Sequence, residues 1–175
     1  MSRIDPGQPL PAIELPTLSG GAAKLGQPQG DHDWQMVVVY RGLHCPICKT
    51  YLKELQELAP RFSELGIDLL AISGDPEDKA RAFVEETGIS LTVGYDLSLS
   101  DMSRLGLYIS DPRGPQETDQ PFAEPGLYVV NAEGNLQIVD ISNAPFSRPD
   151  LQKVMKGISF IREKDYPIRG TSKAA

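Results

Sequence analysis

The sequence predicts one α/β domain: a central mixed β-sheet with helices on both faces and an N-terminal extension. Three observations predict it. Short apolar, β-branched runs alternate with helix-period segments through residue 105. A hairpin signal and a last amphipathic segment close the chain. The length of 175 residues suits a single domain, since domains usually run to about 100–200 residues. The domain is expected over 1–163, with 1–34 as an extension carrying a small hairpin and 164–175 as a loose tail.

The elements follow in order. Residues 1–34 are rich in Pro, Gly and Asp, and the short extended candidates IEL and AKL flank the turn-forming SGG. Residues 36–40, MVVVY, read as a buried strand. From about 46 to 65, Ile47, Cys48, Tyr51, Leu52, Leu55, Leu58, Phe62 and Leu65 recur at three- and four-residue steps, which is the helical period. Pro60 lies inside that helix and should kink it, because it removes one backbone donor, and Gly66 is placed to stop it. IDLLAIS at 67–73 is the next strand. Asp75-Pro76 is expected to open a second helix as N-cap and first helical residue, with Gly88 ending it. LTVGYD at 91–96 is a short strand and 99–105 a short helix. Residues 110–125 contain four prolines and are expected to form a long irregular loop. GLYVVN and NLQIVDI, joined by AEG, form a hairpin, and 149–163 form the last helix. Early parallel pairing with one antiparallel hairpin gives the mixed sheet.

The formal charge of −7 repels phosphates, so nucleic acid is not an expected partner. No apolar run approaches the roughly 18 residues that span a bilayer, and the N-terminus lacks the basic and apolar regions of a secretory leader. A cytoplasmic location is the expectation, where most thiols stay reduced. No dinucleotide-binding glycine pattern follows a strand, and no cofactor is expected.

The only two cysteines, Cys45 and Cys48, fall in RGLHCPICK, where a strand ends and a helix begins. As a structural staple they close only a four-residue loop, worth roughly 2 kcal/mol, against about 4.7 for a loop of ~100 residues. As zinc ligands they need two more donors, and His32 and His44 are badly spaced for that; no metal is expected. Redox chemistry fits better. Cys45 falls at the N-cap and Pro46 at the first helical position, where a missing amide costs nothing. Unpaired N–H groups at a helix start carry partial positive charge and favour a thiolate. Cys48, one turn on and facing the core, is near enough to close a disulfide and less accessible. Cys45 is therefore the expected nucleophile and Cys48 the resolving partner.

Residues 37–73, VVVYRGLHCPICKTYLKELQELAPRFSELGIDLLAIS, resemble the peroxiredoxin-like branch of the alkyl hydroperoxide reductase/thiol-specific antioxidant family. The likeness extends more weakly to PGLYVVNAEGN and the late SRPDL. It implies a thioredoxin-like fold and an antioxidant oxidoreductase. Peroxiredoxins of that family look like PxxxTxxC with a later Arg. Here those positions hold Val38, Gly42 and Pro125. CPICK instead resembles the thioredoxin pattern, which implies a cis peptide bond before Pro125, facing the sulfurs.

Among flanking residues, Arg41 either supplies positive charge near the sulfur or ends the strand in solvent, and His44 either lends charge or merely flanks the motif. Arg148 fits the resemblance and equally the start of the last helix. The expected function is thiol–disulfide oxidoreduction through Cys45 and Cys48. The alternatives are a thiol-dependent peroxidase working through a Cys45 sulfenic acid, and a redox-responsive binding module without turnover. The expected partners are a disulfide-bearing protein or a small thiol or peroxide, with an external thiol reductant; no membrane is expected, and a homodimer is allowed.

Overall fold

The computed structural model describes residues 4–173. The first three residues of the expected extension and the last two of the expected tail lie outside the described residues. The extension carries an antiparallel pair, β1 (Glu14–Pro16) and β2 (Ala22–Lys24). The chain then runs through β3 (Trp34–Val39), α1 (Pro46–Glu64), β4 (Ile67–Ile72), α2 (Glu77–Thr87), β5 (Thr92–Gly94) and α3 (Leu99–Arg104). It ends with β6 (Ile109–Ser110), β7 (Phe122–Ala123), β8 (Gly126–Val130), β9 (Leu136–Ile141) and α4 (Leu151–Lys164).

The central sheet has five strands in the order β5-β4-β3-β8-β9. The first three are parallel, with β8 antiparallel to β3 and β9 antiparallel to β8. Its alternating side chains divide the core. Met36 and Val38 face one side, among Leu52, Leu55 and Phe62 of α1, Phe83 of α2 and Ile158 of α4. Val37 and Val39 face the other, among Leu10, Ile13 and Leu15 of the extension and Met102 of α3. Each large apolar side chain removed from water in this way contributes about 1.5–3 kcal/mol. This is the mixed α/β sheet with helices on both faces that the patterning predicts.

Pro60 lies inside α1 as expected, and the helix runs on to Glu64. Two expectations differ. The N-cap of α2 is Pro76, not Asp75, and no side chain caps that end. The Asp75 carboxylate instead accepts the Leu43 N–H at 2.7 Å, a half-buried donor outside any strand or helix. The 110–125 segment is irregular in the middle, but its ends are joined by the β6–β7 pair.

A third expectation is corrected outright. No peptide bond is cis among the described residues, so the Glu124–Pro125 bond is trans. The chain runs directly from β7 into β8, and a trans bond keeps that path extended. Pro125 stands just before the first residue of β8, where a missing N–H breaks no ladder bond. Its carbonyl accepts the Ser142 N–H.

Candidate active site

Cys45 caps α1. Its backbone is extended (φ −108°, ψ 100°), Pro46 follows inside the helix, and Sγ accepts the Cys48 N–H at 3.2 Å. The turn that delivers it is tight: the Cys45 N–H donates to Gly42 O at 3.1 Å. Gly42 takes φ +139°, and a Cβ there would lie 2.7 Å from Asp75 Oδ1. The position that holds Thr in the peroxiredoxin pattern thus has no room for a side chain, because the Asp75 carboxylate occupies it.

Both thiols are free. Cys45 is pulled down to about 6, first by the Cys48 thiol donating to it, then by the Cys48 N–H, the charge of Arg148 and a hydrogen bond from the Arg41 side chain, with burial opposing. Cys48 is pushed above the usual thiol range by burial and by serving as that donor. At neutral pH the pair therefore holds one proton, on Cys48, and one negative charge, on Cys45.

Arg148 reaches the pair from the loop before α4. Its Nη2 donates to Cys48 Sγ at 2.7 Å, and its guanidinium lies 4.7 Å from the centre of the Tyr51 ring. The Tyr51 hydroxyl fixes this loop in turn by donating to Pro149 O at 2.8 Å. Arg41 is not a solvated strand end. Its guanidinium is held by Glu124 at 3.2 Å and Glu117 at 3.8 Å, and it covers the Phe122 ring. His44 packs on the same ring, 4.5 Å between centroids, and both its nitrogens are buried without a hydrogen-bond partner. Burial, and then Arg41, lower its pKa, so His44 is neutral at pH 7 and brings no positive charge to Cys45. Lys49 pairs with Glu86 at 2.5 Å and His32 bonds Gln29 O and Ser63 Oγ, so both are engaged elsewhere. Pro125 stays in the neighbourhood: with Tyr51, Arg148 and Asp140 it lines a cavity of about 10 Å³, close to the size of one water.

One expectation fails here. Cys45 was expected to be reachable by partners, yet it is 1% exposed and Cys48 0%. Cys45 lies inside the helix-side core with Tyr40, Leu52 and Phe83. The 110–125 segment, which composition marks only as a loop, is itself tied down around the residues that flank Cys45. Phe122 is buried beneath Arg41 and His44, Lys79 pairs with Asp119, and Gln120 donates to Gly74 O.

Residues 6–139 match the family model described as AhpC/TSA. The chain belongs to the AhpC/TSA family. As a member it is a thiol-dependent oxidoreductase. Among solved structures it is similar to a peroxiredoxin-like protein from Aquifex aeolicus, with 20% identity, TM-score 0.73, and 91% of this chain and 88% of that one covered. Peroxidoxin BcpB from Mycobacterium tuberculosis aligns with 19% identity and TM-score 0.73 over 91% of this chain and 99% of that one. Enterococcus faecalis AhpC aligns with 17% identity and TM-score 0.73 over 94% and 99%. At such identities the likeness establishes the fold. No curated protein matches the sequence. Among the described residues no helix is long and apolar enough to cross a membrane.

Sequence reasoning undervalued three groups. Arg148 stands one hundred residues from Cys48, and nothing local distinguishes it from a helix-start arginine. Asp75 reads as a helix cap because Asp-Pro is a common cap pair. Glu117 and Glu124 read as loop charges, although a long charged loop beside a redox motif was the available signal.

Proposed function

We propose that this AhpC/TSA protein reduces a hydroperoxide through Cys45. The thiolate attacks the peroxide's terminal oxygen, the O–O bond breaks, and the leaving alkoxide or hydroxide takes up a proton. Cys45 becomes a sulfenic acid. Cys48 then attacks that sulfur, closing the Cys45–Cys48 disulfide and releasing water. Two thiols of an external reductant supply the electrons that reopen it.

The burial of an acidic Cys45 carries this reading. At 1% exposure no substrate meets Cys45 Sγ without a local opening, and a peroxide, little larger than water, needs a far smaller one than a folded protein's disulfide. The trans bond at Pro125 removes the feature that favoured disulfide substrates. Thiol–disulfide exchange remains the second reading, because Val38, Gly42 and Pro125 replace the Pro, Thr and Arg of the peroxiredoxin pattern. It requires the larger opening.

Peroxide consumption with a dithiol reductant, measured beside reduction of insulin disulfides, separates the two. Rapid peroxide turnover with a Cys45–Cys48 disulfide in the oxidised protein supports the proposal. Insulin reduction with slow peroxide turnover overturns it in favour of exchange. A single stoichiometric oxidation without cycling makes the pair a redox-responsive switch on a binding surface. A reducing, cytoplasmic setting supplies the thiol reductant this cycle requires.

A further inference from the structure

The Arg148 contact is unusual in its target. Its guanidinium meets Cys48, the sulfur that carries the proton in the reduced pair, and not Cys45, the anion. In that state its charge helps to lower Cys45 through space, while its hydrogen bond is made to the protonated neighbour. Its buried Nε and Nη1 have no hydrogen-bond partner, so the side chain is not held there by other polar contacts within the fold. Tyr51 fixes its position by stacking beneath it and by bonding Pro149 O.

The balance changes once Cys45 reacts. A sulfenic acid is neutral at this sulfur, so the negative charge that kept the proton on Cys48 is gone. The guanidinium, already 2.7 Å from Cys48 Sγ, is then the group best placed to hold an anion there. We propose that Arg148 is the catalytic residue of the second half of the cycle: it converts Cys48 from a proton donor into the resolving thiolate after Cys45 has been oxidised. In that step the Cys48 thiolate attacks Cys45 Sγ, the S–S bond forms and the S–O bond breaks. Hydroxide leaves and takes the proton Cys48 gave up, as water. Cys48 is oxidised and Cys45 reduced, so no further reactant is needed. The same contact stabilises Cys48 as the leaving group when a thiol reductant later attacks the disulfide at Cys45.

The charged and titratable groups around Cys48 are Cys45 and Tyr51 on α1, Tyr40 and Arg41 after β3, Asp140 on β9 beside the small cavity, and Arg148. Of these, Arg148 is the one whose side chain donates to Cys48 Sγ, at 2.7 Å.

The inference rests on the peroxidase reading, and the experiment keeps the two apart. In Cys45→Ser protein, which carries a single thiol, Cys48 is titrated by its thiolate absorbance in the ultraviolet. The midpoint is expected to rise by at least about one pH unit in C45S/R148Q, a tenfold loss of thiolate at fixed pH. In C45S/R148K, which keeps the charge but not the planar donor fork, it is expected to fall between. Separately, one equivalent of hydroperoxide is added to wild-type and Arg148→Gln protein, and sulfenic acid is trapped with a dione reagent. The sulfenate is expected to persist at least about tenfold longer in the variant. Coincident Cys48 midpoints, or equal sulfenate lifetimes, overturn the role of Arg148. If wild-type protein forms no sulfenate, the peroxidase reading falls and with it the resolving step. The titration, which uses no substrate, then still decides whether Arg148 holds the Cys48 anion as a leaving group.

Discussion

Replacing Cys48 by alanine removes the group with the largest downward effect on Cys45 while leaving the backbone N–H of residue 48 in place. A thiol with pKa about 6 is about 90% thiolate at pH 7, against about 3% for an unperturbed cysteine near 8.5. The fold thus raises the reactive fraction about thirtyfold. In wild-type protein, ultraviolet titration is expected to show one thiolate per chain appearing near pH 6. The second thiol should resist ionisation well above the ordinary range, because it is buried and donates to its neighbour. In Cys48→Ala the Cys45 midpoint is expected to rise by at least about one unit, or 1.36 kcal/mol of lost preference for the anion. It should still stay below 8.5, because the N–H and Arg148 remain. Two thiolates ionising together near 8.5 in wild-type protein, or an unchanged midpoint in Cys48→Ala, would refute the shared-proton account.

Three further outcomes are expected. Gly42→Ala forces a side chain into a left-handed backbone position 2.7 Å from the Asp75 carboxylate, and should cost about 1–3 kcal/mol in urea denaturation; equal stability would refute the close approach. Burial raises the Asp75 pKa above 3.8, so the folded state keeps its proton longer than the unfolded state and stability falls as pH rises through that window. Asp75→Asn, which cannot titrate, should gain on wild type progressively from about pH 4 upwards in paired denaturant melts. Phe122→Ala should cost about 3–5 kcal/mol and, at a pH where Cys45 is already ionised, speed its alkylation by iodoacetamide; unchanged alkylation would show that this ring does not guard the sulfur.

The elements were legible because their signals are local. The continuous apolar run MVVVY, the helical spacing from Cys48 to Phe62, and the Cys45-Pro46 start are each read within a few residues. The Cys45 cap follows from the same local chemistry. What sequence reasoning missed depends on distant pairings. Asp75 leaves the cap to Pro76 and instead accepts the amide of Leu43, thirty-two residues earlier. Arg41 becomes an interior cation only because Glu117 and Glu124 meet it from the long loop. The trans bond at Pro125 follows from the path between β7 and β8, which composition does not specify. The burial of Cys45 depends on the residues packed over it, which neither its helix position nor its motif reveals.

The contacts that position and acidify Cys45 arrive in chain order. The Cys48 thiol and the helix amide are near at once, but Asp75, which anchors the approach turn, follows thirty-two residues after Leu43, and Arg148 follows one hundred after Cys48. A growing chain released only as far as β4 therefore carries the two neighbouring sulfurs without the clamp on their turn or the distant cation. The last of these supports reaches the pair only with the segment that leads into the C-terminal helix, so the site is assembled from both ends of the domain.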